Sequence, residues 1–162
     1  MLAWLQRHAA GHGGDARRVV RMGESAGAAH VAAAGVRGAV LVSGPYNAQL
    51  ERLSRTAFGV ATPDPRNDAY FGSDDATALA ACSIALQVDA ARLPMLISYA
   101  QRDLPQMQVQ AGELFARLSL AHGFTPELLC VPEHKHFSQT LAINTGDDSL
   151  ARPVADVVQQ HA

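Results

Sequence analysis

One stretch constrains the fold of this chain more than any other, the pentapeptide Gly23-Glu24-Ser25-Ala26-Gly27 together with its flanks. Before it runs the short β-branched segment 18–22, which is typical of a buried strand. After it runs the alanine-rich segment 28–34, which favours a helix. A strand must therefore turn tightly into a helix at Ser25. Both glycines lack a Cβ atom, so we expect the strand and the helix to approach each other closely there.

Such a turn gives its serine particular chemical properties. It strains the backbone of Ser25 and exposes the hydroxyl, an arrangement called a nucleophile elbow. The first N–H groups of the following helix have no intrahelical acceptor and can stabilise an oxyanion, and Ala26 carries the nearest one. The alternative is a glycine- and serine-rich turn without any chemistry. Because both flanks suit the motif, the pattern favours a nucleophilic serine.

Composition narrows the classes of function. The 162 residues suffice for one domain with a hydrophobic core, and 48% of them are hydrophobic, which is typical of a globular protein. A net charge of -2 gives no electrostatic reason to expect nucleic acid or an anionic membrane as a partner. No apolar run approaches the roughly 20 residues of a membrane span, and the first residues do not resemble a signal peptide. With only Cys82 and Cys130, which fit idle thiols in a reduced compartment, we expect a cytoplasmic location.

The order of predicted elements indicates an α/β fold. Strands are predicted at 18–22, 39–43, 94–99 and 126–131, and helices at 2–10, 25–34, 74–82, 106–122, 138–144 and 150–161. This order predicts a single domain, residues 1–162, with a parallel sheet of about four strands and helices on both faces. The long segment from Gly44 to Asp75 reads as irregular and is expected to cover a site. Its aromatic residues Tyr46, Tyr70 and Phe71 either line a substrate pocket or fill a hydrophobic cluster under the loop.

A nucleophilic serine needs a base and an acid that orients the base. In a parallel sheet the active-site crevice lies at the carboxyl ends of the strands. Asp103 follows the third predicted strand there, although it could instead cap the next helix, and Asp89 is the reserve acid. His136 and His134 both follow the fourth strand and compete for the role of base. His30 lies within the elbow helix and is interpreted as a packing or surface residue.

Three segments together resemble the α/β-hydrolase superfamily, namely 13–30, 94–103 and 134–138. They resemble in particular its small esterase branch of hormone-sensitive-lipase-like and arylformamidase-like carboxylesterases. The resemblance implies hydrolysis of small or aromatic esters through an acyl-enzyme, without a metal or another cofactor. It assigns Ser25 as nucleophile, His136 as base, Asp103 as orienting acid and Ala26 as oxyanion donor. His136 is favoured over His134 because His136-Phe137 resembles the family's His-Phe pair, and Glu24 matches the acidic position of its serine motif, where it could tune the site.

The resemblance covers only the C-terminal part of such an enzyme, so the chain looks truncated at its N-terminal side. Gly11-His12-Gly13-Gly14 looks like the family's His-Gly-Gly oxyanion loop, but it lies directly before the elbow strand, and we interpret it as a helix stop and turn. The first predicted strand would then lie at a sheet edge, and a homodimer or an association with the missing N-terminal half is expected. Two alternatives stay open, an arylformamidase-like amide hydrolase and a catalytically inert fragment that acts as a binding or assembly module.

Overall fold

A computed structural model describes residues 2–32, 38–57, 59, 69–73, 75–87, 95–123 and 126–161. Four strands form one parallel sheet in the order β1-β2-β3-β4. Their bounds are β1 Val20–Glu24, β2 Gly38–Val42, β3 Met95–Ala100 and β4 Glu127–Val131. This confirms the predicted fold class. The first strand begins two residues later than predicted, so that Gly23 and Glu24 belong to the strand itself.

Seven α-helices are bounded within the described residues. They are α1 Leu2–His8, α2 Ala26–Ala32, α3 Ala48–Ala57, α4 Ala76–Ala81, α5 Pro105–His122, α6 Ser138–Leu141 and α7 Ala151–His161. Short 3-10 helices follow at Ala9–His12 and Ile84–Leu86, and residues 69–71 are also helical. Gly13, with φ 77°, caps the first 3-10 helix, in agreement with the predicted helix stop. The reserve acid Asp89 lies outside the described residues, and so do the last two residues of the helix predicted at 25–34.

Alternating residues of β2 separate two layers of hydrophobic core, because successive side chains of a strand point to opposite faces. Ala39 and Leu41 pack with α2 and α5 on one face. Val40 and Val42 pack with Leu150 and Val157, the latter from α7, on the other. All five residues of β2 are buried, which explains its continuous apolar sequence. The predicted helices on both faces of the sheet are therefore present.

The prediction of an irregular segment from Gly44 to Asp75 is wrong for residues 69–71, which are helical, and for residues 48–57, which form helix α3. Residues 58, 60–68 and 74 of that segment lie outside the described residues. The side chain of Glu51 lies inward, 2% exposed, whereas Leu53 is 67% exposed. Glu51 Oε2 accepts a hydrogen bond of 2.7 Å from Gln110 Nε2 of α5. Because the buried side of this helix is polar, the apolar periodicity that announces a helix is missing from its sequence.

The two glycines of the β1–α2 turn differ in what they permit. A Cβ atom on Gly23 would lie 2.4 Å from the carbonyl oxygen of Gly27 and 2.8 Å from the amide nitrogen of Ala28. A Cβ atom on Gly27 would meet nothing within 4 Å. The close approach of strand and helix therefore requires a glycine at position 23, whereas position 27 tolerates a side chain.

We expect Gly23→Ala to lower the free energy of unfolding by about 1–3 kcal/mol or more, because the backbone must move to accept the methyl group. The matched control is Gly27→Ala, which we expect to be neutral or stabilising by up to about 1 kcal/mol, since alanine is the better helix former. Urea denaturation of both variants measures the difference. Equal losses at the two positions would contradict this account of the turn.

Candidate active site

Ser25 stands between β1 and α2 in a left-handed conformation, with φ 53°. Such a backbone costs a residue other than glycine on the order of 1–3 kcal/mol and must be held by its surroundings. The amide of Ser25 donates to the carbonyl oxygen of Val42 at 2.9 Å, and its own carbonyl accepts from the amide of Ala28 at 3.0 Å. These two bonds hold Ser25 between the end of β2 and the first turn of α2.

Ala26 is the first residue of α2, so its N–H group has no acceptor within the helix. Tyr70 approaches the other side of the same residue. Its hydroxyl lies 3.3 Å from the carbonyl oxygen of Ala26 and 3.4 Å from Nε2 of His30. The ring of Phe71 meets that of Tyr70 edge to face, with centroids 4.9 Å apart. Part of the long segment after β2 therefore contacts the elbow helix, and His30 lies at that contact.

A histidine and an aspartate meet at the carboxyl ends of β3 and β4. His136 Nδ1 lies 2.7 Å from Asp103 Oδ1. Since a carboxylate oxygen accepts, Nδ1 carries the shared proton, and Nε2 is left to face other groups. The Asp103 side chain is 0% exposed and that of His136 is 14% exposed. The amide of Arg102 donates to the carbonyl oxygen of His134 at 2.9 Å, which ties the two loops together.

The charges around this pair favour an imidazolium. The hydrogen bond to Asp103 raises the pKa of His136 above its ordinary range, against the lowering effect of burial, and the negative charges of Asp103, Glu24 and Glu51 raise it further. Burial acts to raise the pKa of Asp103, but hydrogen bonds from His136 and Ser43 outweigh it and hold that pKa below the usual range. Glu24 and Glu51 therefore act on the base through space.

The structure brings Asp103 to His136, but no hydrogen bond joins Ser25 to His136 in the part of the chain that is described. Ser25 follows β1 and Asp103 follows β3, and both strands are neighbours of β2. Because the sheet is parallel, both residues lie at the carboxyl ends of the strands. Catalytic hydrogen bonds are often long before substrate binds. The contact between serine and base stays a prediction.

His134 is engaged elsewhere. Its Nε2 lies 2.8 Å from Asp147 Oδ2, and its Nδ1 lies 3.0 Å from Ser138 Oγ. Nε2 thus links the loop after β4 to the turn that precedes α7, and Nδ1 links it to the start of α6. Among the described residues His136 has a partner at one ring nitrogen, Nδ1, which favours it over His134 as the base.

Tyr46 lies in the hydrophobic core and has no exposed surface. Its hydroxyl accepts a hydrogen bond of 3.2 Å from the amide of Gly44, and burial raises its pKa. A Cβ atom on Gly44 would lie 2.5 Å from the Tyr46 ring. In this structure Tyr46 fills a hydrophobic cluster, which is one of the two roles that the sequence left open. It exposes no surface to a substrate.

Sequence reasoning missed two polar residues of the site, Ser43 and Gln139, which are both fully buried. The Ser43 hydroxyl donates to Asp103 Oδ2. Gln139 Nε2 donates to Ser43 Oγ at 2.6 Å and to the carbonyl oxygen of His136 at 3.0 Å. The one signal in the sequence was that a hydroxyl ends the unbroken apolar run of the second predicted strand.

Among the described residues, no group of three or more His, Cys, Asp or Glu side chains could hold a metal ion. Of the described helices, none has the length and apolar character needed to cross a membrane.

No family model and no curated protein matches this chain. Solved structures do match it. Carboxyl esterase 2 of the mycorrhizal fungus Tuber melanosporum is 18% identical with a TM-score of 0.73 over 99% of this chain and 60% of that one. An alpha/beta hydrolase enzyme from the metagenome of Lake Arreo, Spain, is 21% identical with a TM-score of 0.72 over 98% of this chain and 55% of that one.

A hormone-sensitive lipase from a metagenome library is 21% identical, with a TM-score of 0.65 over 98% of this chain and 58% of that one. These likenesses show that the chain shares the fold of part of these α/β-hydrolase structures, as the resemblance implied. The chain spans 55% to 60% of the length of these three structures.

We expect a nuclear magnetic resonance titration of the His136 ring to give a pKa above the ordinary value of about 6.5. Asp103→Asn should lower it, because the main stabilising charge of the imidazolium is removed while the side-chain shape is kept. The matched control is Asp147→Asn, which removes the partner of His134 and should leave the His136 titration unchanged. A His136 pKa that did not respond to Asp103→Asn would contradict the proposed electrostatic pairing.

Proposed function

We propose that this chain carries the catalytic residues of a serine carboxylic ester hydrolase that acts on small or aromatic esters. One observation carries the proposal: the buried Asp103 carboxylate pairs with a partly exposed His136 at the same end of the sheet as a serine held at φ 53° in a strand-to-helix turn. Acyl transfer by a serine needs three parts: an exposed serine in a strained turn, a histidine in a fixed orientation and a buried carboxylate that orients it. The likeness to esterases supports the same class of reaction.

The mechanism follows from the proton positions. With its Nδ1 proton shared with Asp103, neutral His136 accepts the Ser25 hydroxyl proton at Nε2 while Oγ attacks the acyl carbon. The N–H group of Ala26 donates to the oxyanion of the tetrahedral intermediate. Collapse of this intermediate breaks the ester bond, and Nε2 returns its proton to the leaving alcohol. Water then attacks the acyl carbon of the acyl-enzyme and gives a proton to His136 Nε2. Collapse of the second tetrahedral intermediate breaks the bond to Ser25 Oγ and releases the acid, while Nε2 returns its proton to Oγ.

The surroundings of the base favour an apolar leaving alcohol. The Phe137 ring meets that of His136 nearly edge to face, with centroids 4.7 Å apart, and is itself exposed. Two leucines are exposed as well. Leu104 directly follows Asp103, and Leu141 is the last residue of α6. Because His136 protonates the leaving group, that group must lie beside the base and hence beside Phe137. An aromatic or short aliphatic alcohol suits such a surface.

We expect a fluorophosphonate probe to label Ser25, and the rate of labelling to rise with pH through the His136 pKa, because only the neutral imidazole can accept the serine proton. Ser25→Ala should abolish both the labelling and the hydrolysis of p-nitrophenyl acetate. Ser138→Ala is the matched control: Ser138 also contacts a histidine that is paired with an aspartate, yet its loss should leave labelling intact.

The outcomes separate the competing functions. Labelling of Ser25 together with faster cleavage of an aryl formamide than of the ester would favour the amide hydrolase. Intact folding without labelling would support the inert binding or assembly module and contradict the proposal.

We also propose that strand β1 is a site of association, either in a homodimer or with a segment that supplies the N-terminal part of the same fold. In the described sheet β1 pairs only with β2, which leaves one row of backbone N–H and C=O groups open. The Met22 side chain on this strand is exposed. An open, partly apolar edge is prone to pair with another strand.

Light scattering should therefore detect a dimer of the isolated chain, and Met22→Lys should shift it towards monomer by placing a charge on that edge. Leu120→Lys changes an exposed leucine of α5, away from β1, and should leave the mass unchanged. A monomeric wild-type chain that stays monomeric when a protein with the N-terminal part of the fold is added would refute the association.

A further inference from the structure

The Asp103 carboxylate is a sealed anion that depends on a small set of donors. Oδ1 accepts from His136 Nδ1 at 2.7 Å and from the amide of Leu104 at 2.8 Å. Oδ2 accepts from the Ser43 hydroxyl and from the amide of Ala100 at 3.3 Å. The Ala100 contact is long for a hydrogen bond. Ser43 is therefore the principal donor to the oxygen that His136 does not use.

The direction of the Ser43 hydrogen bond is set by Gln139. Gln139 Nε2 faces the carbonyl oxygen of His136 at 3.0 Å, and a carbonyl can only accept, so the amide nitrogen must stand on that side. The same nitrogen lies 2.6 Å from Ser43 Oγ, and the serine oxygen therefore accepts from it. The single hydroxyl proton of Ser43 is left for the carboxylate. Gln139 therefore donates a hydrogen bond to Ser43, and Ser43 in turn donates one to Asp103.

Ser43 occupies its place at a conformational cost. It is fully buried and has φ 49°, in the left-handed region that favours glycine. Its amide donates to the carbonyl oxygen of Ser98 at 2.8 Å, so the strained residue is fixed between β2 and β3. The hydroxyl is thus held rigidly against Asp103 rather than free to rotate.

We propose that Ser43 and Gln139 are positioning residues that fix the rotation of the Asp103 carboxylate and limit the proton affinity of His136. A donor to Oδ2 withdraws charge from the carboxylate and competes with the imidazolium for it. Without that donor the buried anion would interact more strongly with His136, and the imidazolium would be favoured. The catalytic consequence rests on the proposed ester hydrolysis, whereas the effect on titration does not.

The test is a nuclear magnetic resonance titration of His136 in Ser43→Ala, Ser43→Gly and Gln139→Met. We expect both Ser43 variants to raise the His136 pKa by roughly half a pH unit or more, and Gln139→Met to raise it by less. Ser43→Gly relieves the strain at φ 49°, so it should be more stable than Ser43→Ala while it shifts the titration equally.

The matched control is Ser83→Ala, which removes another fully buried hydroxyl, one that donates to the carbonyl oxygen of Leu79 at 2.7 Å. It should cost stability without moving the His136 titration. An unchanged or lowered His136 pKa in the Ser43 variants would overturn the inference, and so would an equal shift in Ser83→Ala.

Ester hydrolysis gives a second and separate readout. If the wild-type chain turns over, the Ser43 variants should lose kcat on the order of 10-fold with little change in KM, and the acidic limb of kcat/KM should move up in pH. An unchanged kcat would overturn the positioning role. A titration that shifts as expected in a chain without esterase activity would refute the proposed function and leave the inference standing.

Discussion

The site depends on a single buried anion, the carboxylate of Asp103. A charge removed from water is tolerated only where hydrogen-bond donors replace the lost hydration. Here the donors come from the end of β2, the end of β3, the start of α5 and the turn after β4. Satisfying one carboxylate therefore brings several connections of the sheet to one place. The position of His136 is a consequence of that requirement.

A second constraint acts at the turn between β1 and α2. The helix lies so close to the strand that the path allows no Cβ atom at position 23, and Ser25 is left with a positive φ. Both features arise from the same sharp reversal of direction. The backbone bond from Ser25 to Val42 anchors this turn to β2, the strand that also leads to Ser43. Ser25 and Ser43, the donor to Asp103, thus directly follow two adjacent, hydrogen-bonded strands.

Buried polar groups also determine how α3 packs against α5. Gln110 Nε2 of α5 donates a hydrogen bond to Glu51 of α3. The backbone amide of Asn47, which precedes α3, donates to Gln110 Oε1 at 2.9 Å. This packing brings a negative charge close enough to act on His136. A buried polar network of this kind is stabilising only when its members are paired, which ties the packing of α3 to that of α5. The helix that sequence analysis missed is thereby connected electrostatically to the site.

The sequence by itself determined the parallel sheet of four strands, the turn at Ser25, and the placement of Asp103 and His136 after consecutive strands. These features follow from local patterns, in which apolar runs, glycines and helix-forming segments act within a few residues of one another. Tertiary structure decided the rest. Asp103 meets His136 across 33 residues, Ser43 across 60, and Gln139 meets Ser43 across 96. It also placed Tyr46 in the core, occupied both nitrogens of His134 and turned Glu51 inward. These contacts depend on which residues, distant in sequence, are buried next to each other. A pattern within a few consecutive residues does not contain that information.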